Sequence, residues 1–506
     1  MNIIIMGCGN IGFEAAKLLA EKHSILVVSR RCPDYLQEFL QQNGNVSFMP
    51  ADATNTSAIE SILNRWHGQV GKVDALVCTV GALCASSPTD NFDKFQSSFN
   101  QNFFGNLVPI KAVLRRMIPA KSGKIVVLSS TSGVFAYKGL SSYVPAKWAL
   151  TSLCRALRSE LRPYGISVDI LLPRSIRNKR SRTFLNEHGI PVEMVTRKIA
   201  GIVENGDGTN HFVPKRYALL HPLERIFPRV LDKRARLQNG RKKRFKLLTV
   251  DSVLITGASS ELGKELAKLY ARTAKTLYLV ARNKKSLQQA KNEITKSSAC
   301  TVRVASVDMA DRRAVTAFAD TIDHADLLIN NAGFPVIGQV SDVPIDAYKQ
   351  NLATDFFGPV QLTAEFLKKG RTPIKIVNIL PMSVIGGRKE CSSYSAPKAA
   401  LWAFTRSLRR TAGNELQVIE VLPSTFQSNF SKNTVRIKPE QESGFADSRH
   451  KSKKALPVRG LTAQDVAEAI YEAERKGREI VLIPFRSRLF LYLDAIFPWL
   501  FQRLFE

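Results

Sequence analysis

Tyr143 and Lys147 lie four residues apart in a stretch that reads as helix, and Ser130 closes the apolar strand (125–128) that precedes it. Positions i and i+4 share a helical face, so the spacing puts the lysine ammonium beside the phenol. A free phenol has a pKa of about 10, and a neighbouring cation favours the phenolate and lowers that value. A tyrosine so tuned acts as general acid or base near neutral pH. A serine hydroxyl at the strand end can hydrogen-bond the oxygen that exchanges the proton. The set suits proton transfer to or from a carbonyl or an alcohol.

Elements that position these residues are legible upstream. The chain opens with IIIMGCGNIG, where Gly7, Gly9 and Gly12 form GxGxxG between an apolar strand and a helix. Backbone amides and the helix N-terminus there face a pyrophosphate. Asp52 follows a later strand, and Asn102 stands in NFFG ahead of the Ser–Tyr–Lys set. In this order the motifs resemble the short-chain dehydrogenase/reductase family, a doubly wound nicotinamide-nucleotide-binding fold. By that resemblance Asn102 holds a proton-relay water, Ser130 orients the carbonyl, and Tyr143 is the acid/base. Lys147 binds the nicotinamide ribose and tunes the tyrosine. Asp52 falls where the family contacts adenine, and Gly81 is what remains of the family's NNAG turn, here CTVG.

The resemblance occurs twice. Thr256-Gly257 pairs with Met6-Gly7, Tyr394 with Tyr143 and Lys398 with Lys147; VPKRYALLHPLERIFP (213–228) matches IPFRSRLFLYLDAIFP (483–498). Apolar strands alternating with helices in each half predict an α/β protein of two tandem doubly wound parallel-sheet, Rossmann-like domains. They are placed at 1–232 and 250–506, joined by a basic linker at 233–249. The second half carries TGASSELG, with Gly257, Ser259 and Gly263 as cofactor contacts, Glu261 in place of a glycine, Asp308 at the adenine position, and an intact NNAG with Asn330 and Gly333. Tyr394 and Lys398 complete its candidate set, but Asp355 replaces the asparagine and Pro381 the serine. Ser383, aligned with Ser132, substitutes only if the loop shifts. The first half is therefore expected to be the active one.

After the second strand, where an acidic residue would bind ribose hydroxyls, the halves offer Arg30-Arg31 and Arg282-Asn283-Lys284. Guanidinium groups there suit a 2′-phosphate, favouring NADP(H) over NAD(H).

Across 506 residues, 73 Lys+Arg against 43 Asp+Glu give a net charge of +30. That charge favours anionic partners such as a membrane surface, while the lack of a zinc knuckle, helix-turn-helix signature or aromatic platform sets nucleic acid aside. No metal site is expected. Seven scattered cysteines without a CxxC pair read as free thiols in a reducing, cytoplasmic setting. No apolar run is long enough for a spanning helix.

Two basic segments stay open. The loop after Pro173, with Arg174, Arg177, Lys179, Arg180 and Arg182, suits a phosphate, carboxylate, acyl thioester or anionic lipid, or is simply solvated. The C-terminal RSRLFLYLDAIFPWLFQRLFE suits an interfacial anchor on the inner face of a membrane, or a helix packed on the protein. The sequence thus predicts an NADP(H)-dependent oxidoreductase interconverting a carbonyl and a secondary alcohol on a lipophilic or acyl-type substrate. Its two halves are expected to pair through their YxxxK helices as a dimer within one chain. The alternative is a non-catalytic nucleotide-binding scaffold at a membrane.

Overall fold

Runs such as IIIM, ILVV and IVVL have no polar face, so their strands must be covered on both sides, as in a parallel sheet crossed by helices. The computed structural model describes residues 1–177, 189–228, 249–370, 374–411, 416–428, 434–437 and 460–497. The first unit has strands β1 (Asn2–Met6), β2 (Ser24–Ser29), β3 (Val46–Pro50), β4 (Ala75–Cys78), β5 (Gly123–Leu128), β6 (Ile166–Pro173) and β7 (Asn210–Val213). Its main helices are α1 (Asn10–Ala20), α2 (Asp34–Gln42), α3 (Thr56–Val70), α4 (Phe92–Ala120), α5 (Tyr143–Leu161), α6 (Val192–Asn205) and α7 (Tyr217–Ile226).

The second unit repeats the plan. Its strands are β8 (Ser252–Thr256), β9 (Thr276–Ala281), β10 (Thr301–Ser306), β11 (Leu327–Asn330), β12 (Ile374–Ile379), β13 (Leu416–Pro423) and β14 (Ile480–Ile483). Its helices are α8 (Glu261–Tyr270), α9 (Lys284–Thr295), α10 (Arg312–Asp320), α11 (Ile345–Leu352), α12 (Gly358–Lys368), α13 (Ser392–Thr411), α14 (Ala463–Arg475) and α15 (Arg488–Ile496). The sheets run β3-β2-β1-β4-β5-β6-β7 and β10-β9-β8-β11-β12-β13-β14, each seven-stranded, with parallel pairings throughout. The strand order reverses between β1 and β4, and between β8 and β11, which opens a crevice at the strands' carboxyl ends.

Apolar continuity marks the inner strands in the sequence but not β3 and β10, whose side chains are mostly half-buried or exposed. Of the predicted segments, the linker (save its last residue), Lys179, Arg180 and Arg182, and the chain beyond residue 497 lie outside the described residues.

The two YxxxK helices, α5 and α13, pack directly against each other. One apolar cluster includes residues of both units, among them Phe99, Leu153, Phe356 and Trp402. Phe99 meets Phe356 with ring centroids 4.9 Å apart, and Trp148 meets Trp402 edge-on at 5.2 Å.

Ionic contacts across this surface are reciprocal. Asp494 of α15 takes Arg155 of α5 and Arg225 of α7, each at 3.2 Å. Its counterpart in the repeat, Glu224 of α7, takes Arg406 at 3.4 Å and Arg410 at 2.9 Å, both on α13. All six side chains are buried. Removing one partner strands a buried charge, so Asp494→Ala and Glu224→Ala should each lower unfolding stability by about 3–5 kcal/mol, read by chemical denaturation. Wild-type unfolding should be one cooperative transition, because the shared cluster couples the two sheets.

Candidate active site

Between β1 and α1 the chain must turn tightly and leave room for an anion. Gly7 has φ +98°, a left-handed conformation that glycine adopts freely. A Cβ on Gly12 would collide with the Gly7 carbonyl oxygen, whereas one on Gly9 would meet nothing within 4 Å. Gly9 caps α1 in an extended conformation, with no side-chain hydrogen bond to the first turn and no acidic residue in that turn. The first N–H groups of α1 are therefore not occupied by a cap. This turn opens on a cavity of about 530 Å³ lined by Gly7, Gly9, Arg30, Asp52, Thr79 and Gly81, among others. Arg30 is exposed just past β2, and Asp52 accepts hydrogen bonds from the amide and hydroxyl of Thr54 at 2.8 and 2.7 Å. Those bonds, helped by Arg30, hold the Asp52 carboxyl below its ordinary range.

The CTVG turn departs from NNAG less than its letters suggest. Asn331, the second asparagine of NNAG, donates to the carbonyls of Thr256 and Gly257 at 3.0 and 3.1 Å. Thr79 at the same place donates to Met6 and Gly7 at 2.9 and 3.1 Å. A hydroxyl thus ties β4 to the glycine turn as the amide does, a function the sequence reading missed and that the shared donor chemistry signals.

Around the proton-transfer set, α4 brings Asn102, the end of β5 brings Ser130, and the first turn of α5 brings Tyr143 and Lys147. Tyr143 and Ser130 are hydrogen-bonded, and both are half-buried, while Asn102 and Lys147 are buried. Lys147 Nζ lies 5.7 Å from the Tyr143 ring centroid and donates to the Leu128 carbonyl at 3.2 Å. Asn102 donates through Nδ2 to Ala82 and Ser98, both at 2.9 Å. Its Oδ1 is buried without a donor among the described residues. A Cβ on Gly81 would stand 2.6 Å from that Oδ1 and 3.1 Å from Lys147 Nζ. The glycine leaves the carbonyl oxygen and the ammonium facing the same small space.

The expectation of a lowered tyrosine pKa needs correcting. Burial raises Tyr143 to about 12, against the Ser130 hydrogen bond, which lowers it. Burial also depresses the Lys147 ammonium to about 8. Taking the charged form out of water outweighs the Ser130 hydrogen bond at Tyr143 and the nearby Cys154 and Cys78 at Lys147.

In the second unit Gly257, at φ +65°, and Gly263 pack as Gly7 and Gly12 do. Ser259 lies half-buried in the intervening turn. The helix entrance differs: Ser260 caps α8 by accepting from Gly263 N, and Glu261 sits in the first turn. Asp308 accepts from the Ala310 amide at 2.9 Å, repeating the Asp52 turn, and Arg282 lies over the Phe334 ring at 5.8 Å. Asn330, expected at the cofactor, turns into the sheet instead. It is buried and donates to Asn378 on the neighbouring strand β12 at 2.8 Å.

Tyr394 and Lys398 repeat the i, i+4 pair, with Nζ 6.0 Å from the ring centroid. Here Asp355, in a π-helical turn after α11, pairs with Lys398 Nζ at 2.9 Å. Gly333 faces this pair as Gly81 faces Asn102 and Lys147. Burial, with the Asp355 charge adding to it, pushes the Tyr394 phenol well above its usual value. Pro381 leaves no hydroxyl at the serine position, and Ser383 opens a short helix (Ser383–Gly386) with its Oγ buried and without a partner among the described residues. The seven cysteines are all free. Asp169, Asp207 and His211 cluster closely enough to suggest a cation, but Asp169 Oδ1 already accepts from Gly208, Thr209 and His211.

Two crevices built on Rossmann turns, each with a Tyr–Lys pair on the helix after the fifth strand, define a nucleotide-dependent oxidoreductase fold. The family profile described as short chain dehydrogenase matches residues 1–187 and again 251–438. The chain belongs to the short-chain dehydrogenase/reductase family, twice over. It is 31% identical over 265 residues to dehydrogenase/reductase SDR family member 7B of Mus musculus, covering 50% of this chain and 79% of that protein. It is 30% identical over 209 residues to short chain aldehyde dehydrogenase 1 of Euphorbia lathyris, covering 40% and 72%. Among solved structures, an N-terminal ketoreductase from the macrolactin assembly line overlaps 95% of this chain and 86% of its own, with a TM-score of 0.63 at 13% identity. The N-domain of a bacterial malonyl-CoA reductase with NADP overlaps 87% and 97%, also at 0.63 and 13%. These two likenesses concern the fold.

Gly12→Ala should abolish nucleotide binding at the first crevice, since its methyl group meets backbone rather than a side chain that can yield. If Arg30 meets a 2′-phosphate, Arg30→Ala should weaken NADPH by roughly tenfold or more while leaving NADH nearly unchanged. Fluorescence titration with both nucleotides checks each.

Proposed function

We propose that the first unit is an NADP(H)-dependent reductase or dehydrogenase that interconverts a carbonyl and a secondary alcohol. The observation that carries this reading is the Ser130–Tyr143 hydrogen bond beside buried Lys147 and Asn102, all next to the glycine-lined cavity. The orphaned Asn102 oxygen and the open space at Gly81 fit a ligand with hydroxyl donors, as a nicotinamide ribose has. Gly7, Gly9 and Gly12 would hold the diphosphate, Arg30 a 2′-phosphate, Asp52 the adenine side, and Lys147 the ribose. Bound NADPH supplies a hydride to the carbonyl carbon.

The chain's own groups handle the proton. Ser130 donates a hydrogen bond to the substrate oxygen and orients it against the phenol. Tyr143 gives that oxygen its proton in reduction and takes it back in oxidation. With its pKa raised by burial, Tyr143 stays protonated through neutral pH and is already set for reduction. The second unit, with Lys398 engaged by Asp355 and no serine, serves as the first unit's packing partner. Its Gly257, Ser259, Gly263, Asp308 and Gly333 are the positions where it would retain nucleotide. The reading extends to a lipophilic or acyl-type substrate, supported by the basic residues Arg174 and Arg177 after β6 and by exposed apolar helices near the site. Among the described residues no helix is long and apolar enough to cross a membrane.

Tyr143→Phe should lower turnover by about 10²–10⁴-fold with NADPH affinity retained, measured on a panel of long-chain ketones and acyl thioesters. Reduction by the wild type should hold steady from pH 6 to 7, where the phenol and the Lys147 ammonium both keep their protons. Alcohol oxidation, which needs the phenolate, should rise with pH. A chain that binds NADPH yet turns over no carbonyl would favour the scaffold reading.

A further inference from the structure

Helices α7 and α15 are amphipathic the wrong way round for a surface facing water. α7 buries His221, Glu224 and Arg225, and α15 buries Asp494 together with Leu491 and Ala495. Their outward faces are apolar: Leu219 is 79% and Phe227 53% exposed on or beside α7, and their repeat counterparts Leu489 and Phe497 are 61% and 46% exposed. Phe485 and Ile496 add 68% and 52%. The helices pack side by side, so the pseudo-twofold relation of the units merges two outward faces into one. An apolar surface gathered in this way marks a site of interaction.

We propose that this paired face docks on a lipid bilayer carrying anionic headgroups. Charge selects that occupant. The exposed charged residues of 214–228 and 484–497 are Lys215, Arg216, Arg486 and Arg488. The acidic residues of the same segments, Glu224 and Asp494, are sequestered in the ion pairs with α5, α7 and α13. A rim of cations around exposed leucine and phenylalanine matches an interface of acyl chains beneath anionic headgroups. A second copy apposed on this face would set cation against cation.

The face also adjoins the reacting groups. Both helices follow edge strands β7 and β14 at their carboxyl ends, the end of each sheet at which the crevice opens between its central strands. Phe135, in the loop between Ser130 and Tyr143, contacts Tyr217 and His221 of α7 with centroids 6.4 Å away. A docked bilayer would therefore lie near the loop between Ser130 and Tyr143, which suits the lipophilic substrate of the proposed activity, although the docking itself rests only on the exposed face.

The test is cosedimentation of the full chain with vesicles of phosphatidylcholine alone or with phosphatidylserine added, alongside the double variant Leu219→Ser/Leu489→Ser and the charge variant Arg216→Gln/Arg486→Gln. Binding to the anionic vesicles, weakened roughly tenfold or more by either variant and by high salt, is expected. NADPH titration and the thermal transition, measured in parallel, should be unchanged in both variants, which separates loss of docking from loss of fold or of the nucleotide site. No vesicle binding, binding indifferent to both variants, or a dimer in sedimentation that the leucine variant dissolves would overturn the proposal. Failure of NADPH binding with docking intact would instead count against the enzymatic reading.

Discussion

The reciprocal ion pairs between the two units constrain everything built around them. Arg155 to Asp494 and Arg406 to Glu224 are one contact made twice, as an isologous interface requires. Charges this deeply buried lose most of their hydration, and their mutual attraction returns little beyond that loss. What they fix is geometry. Arginines of these clusters reach past the carboxylates to the other unit's active-site loop: Arg155 donates to the Ile385 carbonyl at 2.7 Å, and Arg410, which also pairs with Glu224, to the Ala136 carbonyl. Each unit thus holds the loop that leads to the other's tyrosine.

That bracing gives the second unit a reason to persist with an altered site. Asp355 satisfies Lys398 internally, and Ser260 satisfies the entrance of α8, so the groups that the first unit leaves facing its crevice are tied up in the second. Meanwhile Lys111 donates to the carbonyls of Val340 and Ser341, and Glu160 accepts from the amides of Val340 and Glu390, so the first unit grips the second as well. Burial raises the Glu160 carboxyl to about 7 even against those two hydrogen bonds. On the proposed reading, one copy of the repeat presents reactive groups and the other supports them.

The outward apolar face follows from the same pairs. The helix orientation that delivers Glu224 and Asp494 into the interface leaves Leu219 and Leu489 outward, with Leu491 alone of the α15 leucines buried beside its carboxylate. Stability of the pair and exposure of the face are two consequences of one choice of helix orientation.

The sequence by itself determined the family and the duplication, and it nominated the residues of each site. GxGxxG after a strand, YxxxK on a helix and their repetition near 250 residues are local signals, carried by glycine's conformational freedom and by helical spacing. It also exposed the second unit's Asp355 and Pro381 as departures. Only the tertiary structure decided that Thr79 does the work of an asparagine, since the equivalence lies in where a hydroxyl reaches and not in a letter. It turned Asn330 into the sheet, because strand register sets which face a side chain takes. It raised the Tyr143 pKa where the spacing alone suggested lowering, because desolvation depends on how many neighbours exclude water and no pattern of residues along a chain records that.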